Sequence, residues 1–414
     1  MKRNPLIVIL IILIFFVISF LTNILGPINP DVIASFKLSY FLAGFLPFAF
    51  FVAYGVMSIP AGILVEMYSE KLILIVAFTT SFLGALLFAV FPTYIIFLIS
   101  LFLIGLGMSM LQVVINPLLR VSGGEENFAF YSVLAQLFFG AASFLSPLLY
   151  SYMVQNLHTR KTSPVINLLN KVVPENLNWV SVYWIFAIIS ILMIVIIYFV
   201  KFPKVVLNED EKIETGSVFS ELLKNKYVIL FFVGIFAYVG TEQGISNWAS
   251  KFLQTYHNVN PETTGATVIS WFWGLMTIGC LLGLGLLKLF DSRIILISFA
   301  VGAFITLSIA LFGSAEVSIY AFSISGFCLS VMWSIVVSLG LNSVAHHHGT
   351  FSGILCSGIA GGAIVPLIIG GLADLIGLRF AMMFIYLTLA YVLSIGIWAK
   401  PLVNNATIHE KSKK

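Results

Sequence analysis

Apolar residues lie along this chain in twelve long runs that are separated by short polar or charged stretches. The runs cover about residues 5–25, 39–64, 72–91, 94–118, 128–153, 179–200, 227–253, 264–288, 293–312, 317–342, 350–375 and 379–399. Each run is close to the roughly 20 residues that an α-helix needs to cross a bilayer. Backbone groups in lipid must be bonded within the segment, and the runs lack the alternation of barrel strands. We therefore expect twelve transmembrane helices.

The composition agrees with a chain embedded in a membrane. Of the 414 residues, 60% are hydrophobic and 9% are charged, whereas soluble domains contain about 25% charged residues. The net charge of +4 comes mostly from basic residues near the ends of the runs, which indicates topology and not a nucleic-acid surface. Cys280, Cys328 and Cys356 lie in apolar runs without metal-ligand spacing, so we expect neither disulfides nor a metal site. We find no nucleophile–base pair and do not expect an enzyme.

A charged segment between the sixth and seventh runs divides the chain into two halves. We predict an N-terminal six-helix bundle over residues 1–200, a cytoplasmic linker over 201–226, a C-terminal six-helix bundle over 227–400 and a cytoplasmic tail over 401–414. Within the linker, Phe219–Lys224 predicts a short amphipathic surface helix. The turns Gly62–Lys71 and Gly285–Arg293 are similar and occupy equivalent places in the two halves. This repetition predicts two parallel repeats around a cavity at the bilayer midplane.

The distribution of lysine and arginine predicts the orientation. If the N terminus is cytoplasmic, the inner side carries Lys2, Arg3, Lys71, Arg120, Lys201, Lys204, Lys212, Lys224, Lys226, Lys288, Arg293, Lys400, Lys411, Lys413 and Lys414. The outer side then carries Lys37, Arg160, Lys161, Lys171, Lys251 and Arg379. Basic residues concentrate in cytoplasmic loops, so we place both termini in the cytoplasm. The compact loops fit a bacterial inner membrane, where we expect a monomer surrounded by lipid.

Two neutral amides stand out within the apolar runs. Asn23 and Gln112 each lie shortly before a proline, Pro27 and Pro117. A polar side chain in hydrocarbon is costly unless it faces the interior of a bundle or a watery cavity. Amides can bond a neutral polyol, but they cannot carry a proton. They are therefore candidates for solute binding; the alternative is that they only join helices.

Glu242 is the one acid that the sequence places deep in a helix, and an intramembrane acid is a functional candidate by default. Its alternative roles are acceptor for a sugar hydroxyl, cation ligand, proton carrier or structural carboxyl bonded to a neighbouring helix. Gln243, Asn247 and Trp248 follow it, at spacings that do not let all of them point the same way. Trp273 lies in the middle of a run, where it either packs in the core or stacks on the apolar face of a sugar.

Several segments, taken in chain order, resemble the fucose–proton symporter family of the major facilitator superfamily. Asn23–Pro27 resembles the Asp-Ile-Leu-x-Pro of its first helix, and Gln112–Pro117 resembles the Glu-x-x-x-Asn-Pro of its fourth. Leu134–Ala141, with Gln136 and then Gly140-Ala141, resembles a segment of its fifth helix. Tyr238–Glu242 is similar to the Tyr-Val-Gly-x-Glu of some glucose and galactose members, and Gly361–Asp374 resembles the eleventh helix. The resemblance covers nearly the whole chain.

This resemblance implies an all-α membrane protein with twelve transmembrane helices in two six-helix bundles, the major facilitator fold. It further implies a secondary active transporter that takes up a neutral monosaccharide of the fucose, galactose and glucose class by alternating access. The alternative is a permease or efflux protein for a non-sugar small molecule on the same scaffold. The predicted substrate-binding residues are Asn23, Gln112, Asn116, Gln136, Glu242, Gln243, Asn247, Trp248 and Trp273.

The coupling acids of that family, on helices one and four, correspond here to Asn23 and Gln112. Standard proton coupling is therefore not expected. We expect coupling to Na⁺ or H⁺ through Glu242, or else facilitation without coupling, and no other cofactor.

Overall fold

The computed structural model describes residues 5–123, 128–159, 163–202, 217–344 and 348–401. Every regular element within these ranges is helical. Twelve segments of the described chain are long and apolar enough to cross a membrane, which confirms the predicted number. Most of the predicted linker, residues 203–216, and nearly all of the predicted tail, residues 402–414, lie outside the described residues.

The elements follow one another in two series. The first series is α1 (Pro5–Thr22), α2 (Leu25–Phe36), α3 (Tyr40–Met67), α4 (Glu70–Val90), α5 (Tyr94–Gly123), α6 (Phe128–Asn156), α7 (Pro164–Leu169) and α8 (Ser181–Phe199). The second is α9 (Ser217–Lys224), α10 (Lys226–His257), α11 (Ala266–Leu289), α12 (Ser292–Phe312), α13 (Ala315–Leu329), α14 (Met332–Leu341), α15 (His348–Ser357), α16 (Gly361–Ile376), α17 (Leu378–Met382) and α18 (Phe384–Trp398). The short helix α9 lies where the sequence predicts an amphipathic one.

The first span is longer than predicted. It runs through α1 and α2 from Pro5 to Phe36, whereas the apolar run was expected to end near residue 25. The polar residues after Pro27 interrupt the apolar pattern without ending the helix. Pro27 lies in the first turn of α2, where its missing N–H leaves no helical bond unmade. It also cannot donate to the carbonyl of Asn23, which agrees with the break between α1 and α2 at that residue.

Most helix contacts lie within one half. In the first half α3 and α4 pack on α5, and α1 packs on α6; in the second half α11 and α12 pack on α13, and α10 packs on α16 and α18. Across the halves, α3 meets α16, α6 meets α11 and α2 meets α10. The same few helices therefore form the boundary between the halves.

Glycines allow close approach at one end of this boundary. We call it the far end, formed by α2, the first two turns of α3, the last turns of α10 and the last turns of α16. Gly26 of α2 lies directly against the backbone carbonyl of Ser246, and a Cβ at Gly44 would lie 2.8 Å from the Cα of Leu367. Small residues let helix backbones meet in this way. The two halves are therefore in direct backbone contact at the far end.

Candidate functional site

A cavity of about 400 Å³ lies between the two halves. One wall comes from α1, α3, α5 and α6, and the other from α10, α11 and the junction between α13 and α14. The polar side chains of the first wall are Thr22, Asn23, Tyr54, Gln112, Gln136 and Ser143. Those of the second are Tyr238, Glu242, Gln243, Thr277, Ser330 and Ser334. Pockets for small ligands occupy about 300–1,000 Å³, so this cavity has a suitable size.

Asn23 lines the cavity at the break between α1 and α2. Its Nδ2 donates to the hydroxyl of Ser143 on α6 at 2.8 Å and to that of Ser19 at 3.3 Å. Neither of these bonds uses the carbonyl oxygen of the side chain. Asn23 thus joins two helices through its nitrogen while it keeps an acceptor for the cavity.

Of the other predicted residues of the first half, two line the cavity. Gln112 of α5 is half-buried and lines the cavity, and Gln136 of α6 is exposed in the cavity wall. The side chain of Asn116 lies outside the described residues. Gln136, Gly140 and Ser143 follow at spacings of four and three, so they share one face of α6. That face is turned toward the cavity.

Glu242 lines the opposite wall and is bonded only by neutral groups. The hydroxyl of Tyr238, one helical turn earlier, donates to its Oε2 at 2.7 Å, and Nε2 of Gln243 donates to its Oε1 at 3.1 Å. Within the described residues no lysine, arginine or histidine pairs with it, and no cluster of three or more potential metal ligands occurs. Glu242 is the one acid among the described residues that line the cavity.

Two tryptophans add aromatic surface to the second wall. Trp273 of α11 is 6% exposed, and its Nε1 has no hydrogen-bond partner among the described residues. Its ring packs edge-on against Phe272, with 5.2 Å between the ring centroids. The ring of Trp333, in α14, lies 6.2 Å from that of Tyr238. The wall that holds the carboxylate therefore also presents large apolar rings.

Asn247 and Trp248 are predicted site residues that the structure does not bring into the cavity wall. Asn247 is buried, its Nδ2 donates to Oε1 of Gln243 at 3.1 Å, and its backbone carbonyl accepts from Asn29 at 2.9 Å. The indole of Trp248 donates to the carbonyl of Pro366 at 3.1 Å. Both residues lie one or two turns beyond Glu242 along α10, toward the far end. There the Asn247 contact joins α10 to α2 of the first half, whereas the Trp248 bond joins α10 to α16 within the second half.

The structure also adds residues that the predicted set omitted, chiefly Tyr238, Ser143 and Trp333. Tyr238 was available from the sequence, because it stands one helical turn before Glu242. Ser143 lies two turns after Gln136 and shares its face. Serines and aromatic residues are common in membrane helices, so composition alone does not distinguish these from packing residues.

Comparisons with known proteins agree on one family. A model of the Major Facilitator Superfamily matches residues 11–360. A glucose/galactose transporter of Brucella abortus is 29% identical over 390 residues, which cover 93% of this chain and 92% of that protein. An L-fucose-proton symporter of Escherichia coli is 26% identical over 400 residues, which cover 90% of each chain.

A solved structure shares the fold. The crystal structure of the E. coli fucose:proton symporter in its outward conformation superposes with a TM-score of 0.66. The match covers 95% of this chain and 98% of the symporter, at 24% sequence identity.

Proposed function

Because the chain belongs to the major facilitator superfamily, we propose that this integral membrane protein is a secondary transporter that takes up a neutral monosaccharide by alternating access. Relatives named for glucose, galactose and fucose support that class of solute. The observation that carries the proposal is the central cavity. Its two walls present amides, hydroxyls and one carboxylate to the same space.

The lining suits a solute that both donates and accepts hydrogen bonds. Amide side chains have both functions, as do hydroxyls, whereas a carboxylate only accepts. Asn23 offers an acceptor from one wall, and Glu242 offers acceptors from the other. Trp273 and Trp333 supply flat apolar surface for the C–H face of a pyranose ring. A site that bonds hydroxyls rejects analogues that lack them, because its own polar groups are then left unpaired.

The cavity is closed at one end and extends toward the other, which supports alternating access. The far end is closed by contact between the halves, whereas the lining continues along α11 as far as Leu287, near the end of that helix closest to the linker. We place the linker and both termini in the cytoplasm of a bacterial cell, with the protein a monomer in the inner membrane. On that assignment the structure represents the inward-facing state, closed to the outside.

Coupling is assigned to Glu242. Asn23 and Gln112 cannot exchange a proton, and Glu242 is the one carboxylate among the described lining residues. Oxygen ligands suit a hard cation such as Na⁺. The alternative is that the carboxylate binds a proton. Coupling to Na⁺ requires a Na⁺ gradient, whereas coupling to H⁺ requires a proton gradient.

Uptake into proteoliposomes tests the solute and the coupling together. Radiolabelled glucose, galactose and fucose would be offered with an inward Na⁺ gradient, with an inward proton gradient and with neither. Accumulation that requires one gradient identifies the coupled ion, and entry that is indifferent to both shows facilitation. Absence of saturable entry for all three sugars, together with thermal stabilisation by amphipathic compounds, would favour the non-sugar alternative.

Glu242→Gln tests the role of the acid. Glutamine keeps the size of the side chain and still accepts from Tyr238, but it carries no charge. We expect exchange of sugar across the membrane to continue while gradient-driven accumulation is lost. The matched control is Glu316→Gln, which neutralises an exposed acid at the start of α13. Unchanged accumulation in Glu242→Gln would leave the carboxyl with a structural role only.

A further inference from the structure

A carboxylate from the second half caps a helix of the first half at the far end. Asp374 lies near the end of α16, and its Oδ1 and Oδ2 accept hydrogen bonds from the backbone N–H groups of Tyr40 and Phe41, each at 2.8 Å. These two residues begin α3, and the hydroxyl of Ser39 accepts from the next amide in line, that of Leu42, at 3.2 Å. The first three amides of α3 are therefore all bonded, two of them by a residue of the other half.

This contact combines two favourable effects. The first amides of a helix have no partner within the helix, and they carry the positive end of its dipole. A carboxylate that accepts from them makes charge-assisted hydrogen bonds, which are stronger than those of neutral groups. Each oxygen of Asp374 accepts from a different backbone N–H, so the carboxylate binds the helix end in a bidentate manner. An uncharged side chain of similar shape satisfies at most part of this arrangement.

The neighbouring glycines are what allow Asp374 to reach α3. Gly370 lies directly against the backbone carbonyl of Tyr40, and a Cβ at Gly371 would lie 3.2 Å from the ring of Phe41. A side chain at Gly370 would push α16 away from the first turn of α3. The same first turn is held by the ring of Tyr40, which packs edge-on against Trp248 at 5.9 Å. The cap is thus part of a close seam between the halves.

We propose that Asp374 is a positioning residue of the transport cycle, which sets the balance between the two facing states by latching α16 to the start of α3. The latch joins the two halves, so it has to open whenever the cavity opens at the far end. A contact made in one state and absent from the other shifts the equilibrium by its differential free energy. This role depends on alternating access and is independent of which solute is carried.

Distances between spin labels test the latch directly. Cysteines placed at the exposed positions Ala34 on α2 and Glu316 on α13 would report the separation of the halves at the far end, in a protein whose three native cysteines are replaced by serine. Asp374→Asn should raise the ratio of the long-distance to the short-distance population about tenfold, the factor that corresponds to about 1.4 kcal/mol. Asp374→Glu, which keeps the charge, should recover most of the short-distance population.

Glu175→Gln is the matched control. It removes one acidic charge from an exposed site before α8 on the same side of the protein, so it should leave the distances unchanged. Identical distance distributions in Asp374→Asn and the unmodified protein would overturn the proposal. So would a variant with Glu at 374 that behaves like the one with Asn. If Asp374→Asn proves unstable, Gly370→Ala should produce the same opening by separating α16 from Tyr40.

Discussion

Gly140→Ala is expected to perturb the seam between α6 and α11, because the space beside Gly140 is already occupied. A Cβ at this position would lie 2.5 Å from Cγ2 and 2.7 Å from Cβ of Thr277, and it would also meet the hydroxyl. Carbon atoms pack best at about 3.5–4.0 Å. The hydroxyl of Thr277 is bonded to the carbonyl of Trp273 at 2.9 Å, which opposes rotation of the side chain away from α6. The two helices must therefore separate by about 1 Å.

The cost of this overlap sets the expected size of the effect. Insertion of one carbon into a packed interior typically costs about 1–3 kcal/mol. A difference of that size corresponds to a factor of about 5–150 in an equilibrium. The penalty applies only to conformations in which α6 and α11 touch, so Gly140→Ala should deplete the state seen here by that factor. The melting temperature of the purified protein should fall for the same reason.

A double-mutant cycle would measure the effect. Initial rates of solute exchange and melting temperatures would be compared for Gly140→Ala, Thr277→Gly and the double variant; glycine at 277 removes all three crowded atoms. The double variant should match Thr277→Gly. Gly285→Ala, on the helix α11 that carries Thr277, is the control, since a Cβ there meets no atom within 4 Å. The reasoning would be refuted if Gly140→Ala behaved like Gly285→Ala, or if glycine at 277 gave no rescue.

Two further predictions concern charge. Asn23→Asp places a carboxyl that can bind and release a proton at the cavity wall, beside the hydroxyl of Ser143, so the uptake rate should acquire a new dependence on pH; a pH profile equal to that of the unmodified protein would contradict this. Hydrogen bonds from Arg293 hold the pKa of Asp291 below its usual value. The resulting stabilisation is present above the unfolded pKa of about 3.9 and is lost as the pH falls through the lower folded value. Asp291→Asn should therefore slightly lower the melting temperature at neutral pH and flatten its decline in acid; a decline that persists unchanged would exclude this pair as its cause.

The sequence predicts the membrane spans well because their length is imposed from outside, by the thickness of the bilayer. It fails where a helix continues through polar residues. Asn29, Pro30 and Asp31 interrupt the apolar pattern of the first span, yet α2 runs on to Phe36. Asp31 is stabilised there by the hydroxyl of Tyr150, which donates to its Oδ2 at 2.6 Å. That partner is 119 residues away, and no local pattern indicates it.

The sequence predicts some residues of the cavity but not all of them. Polar residues such as Asn23, Gln112 and Glu242 are conspicuous in apolar runs, because their burial in lipid would be costly. Depth along a helix is harder to derive. Trp248 follows Glu242 closely in sequence, but α10 carries it past the cavity to the far end, where its ring packs against Tyr40 of the first half. The set of polar groups that line the same cavity depends on how the two halves pack together. The pattern of residues along one segment does not predict that packing.

The serine contacts between α1 and α6 have a mechanical consequence. The hydroxyl of Ser19 bonds the carbonyl of Phe139 at 2.6 Å and the hydroxyl of Ser143 at 2.5 Å, and Ser146 bonds the carbonyl of Phe20 at 2.8 Å. These hydrogen bonds should make α1 and α6 move as one rigid unit. A solute bound by Asn23 and Gln136 would then keep the same contacts with α1 and α6 in both facing states. Its release on either side of the membrane would depend on its contacts with the second half.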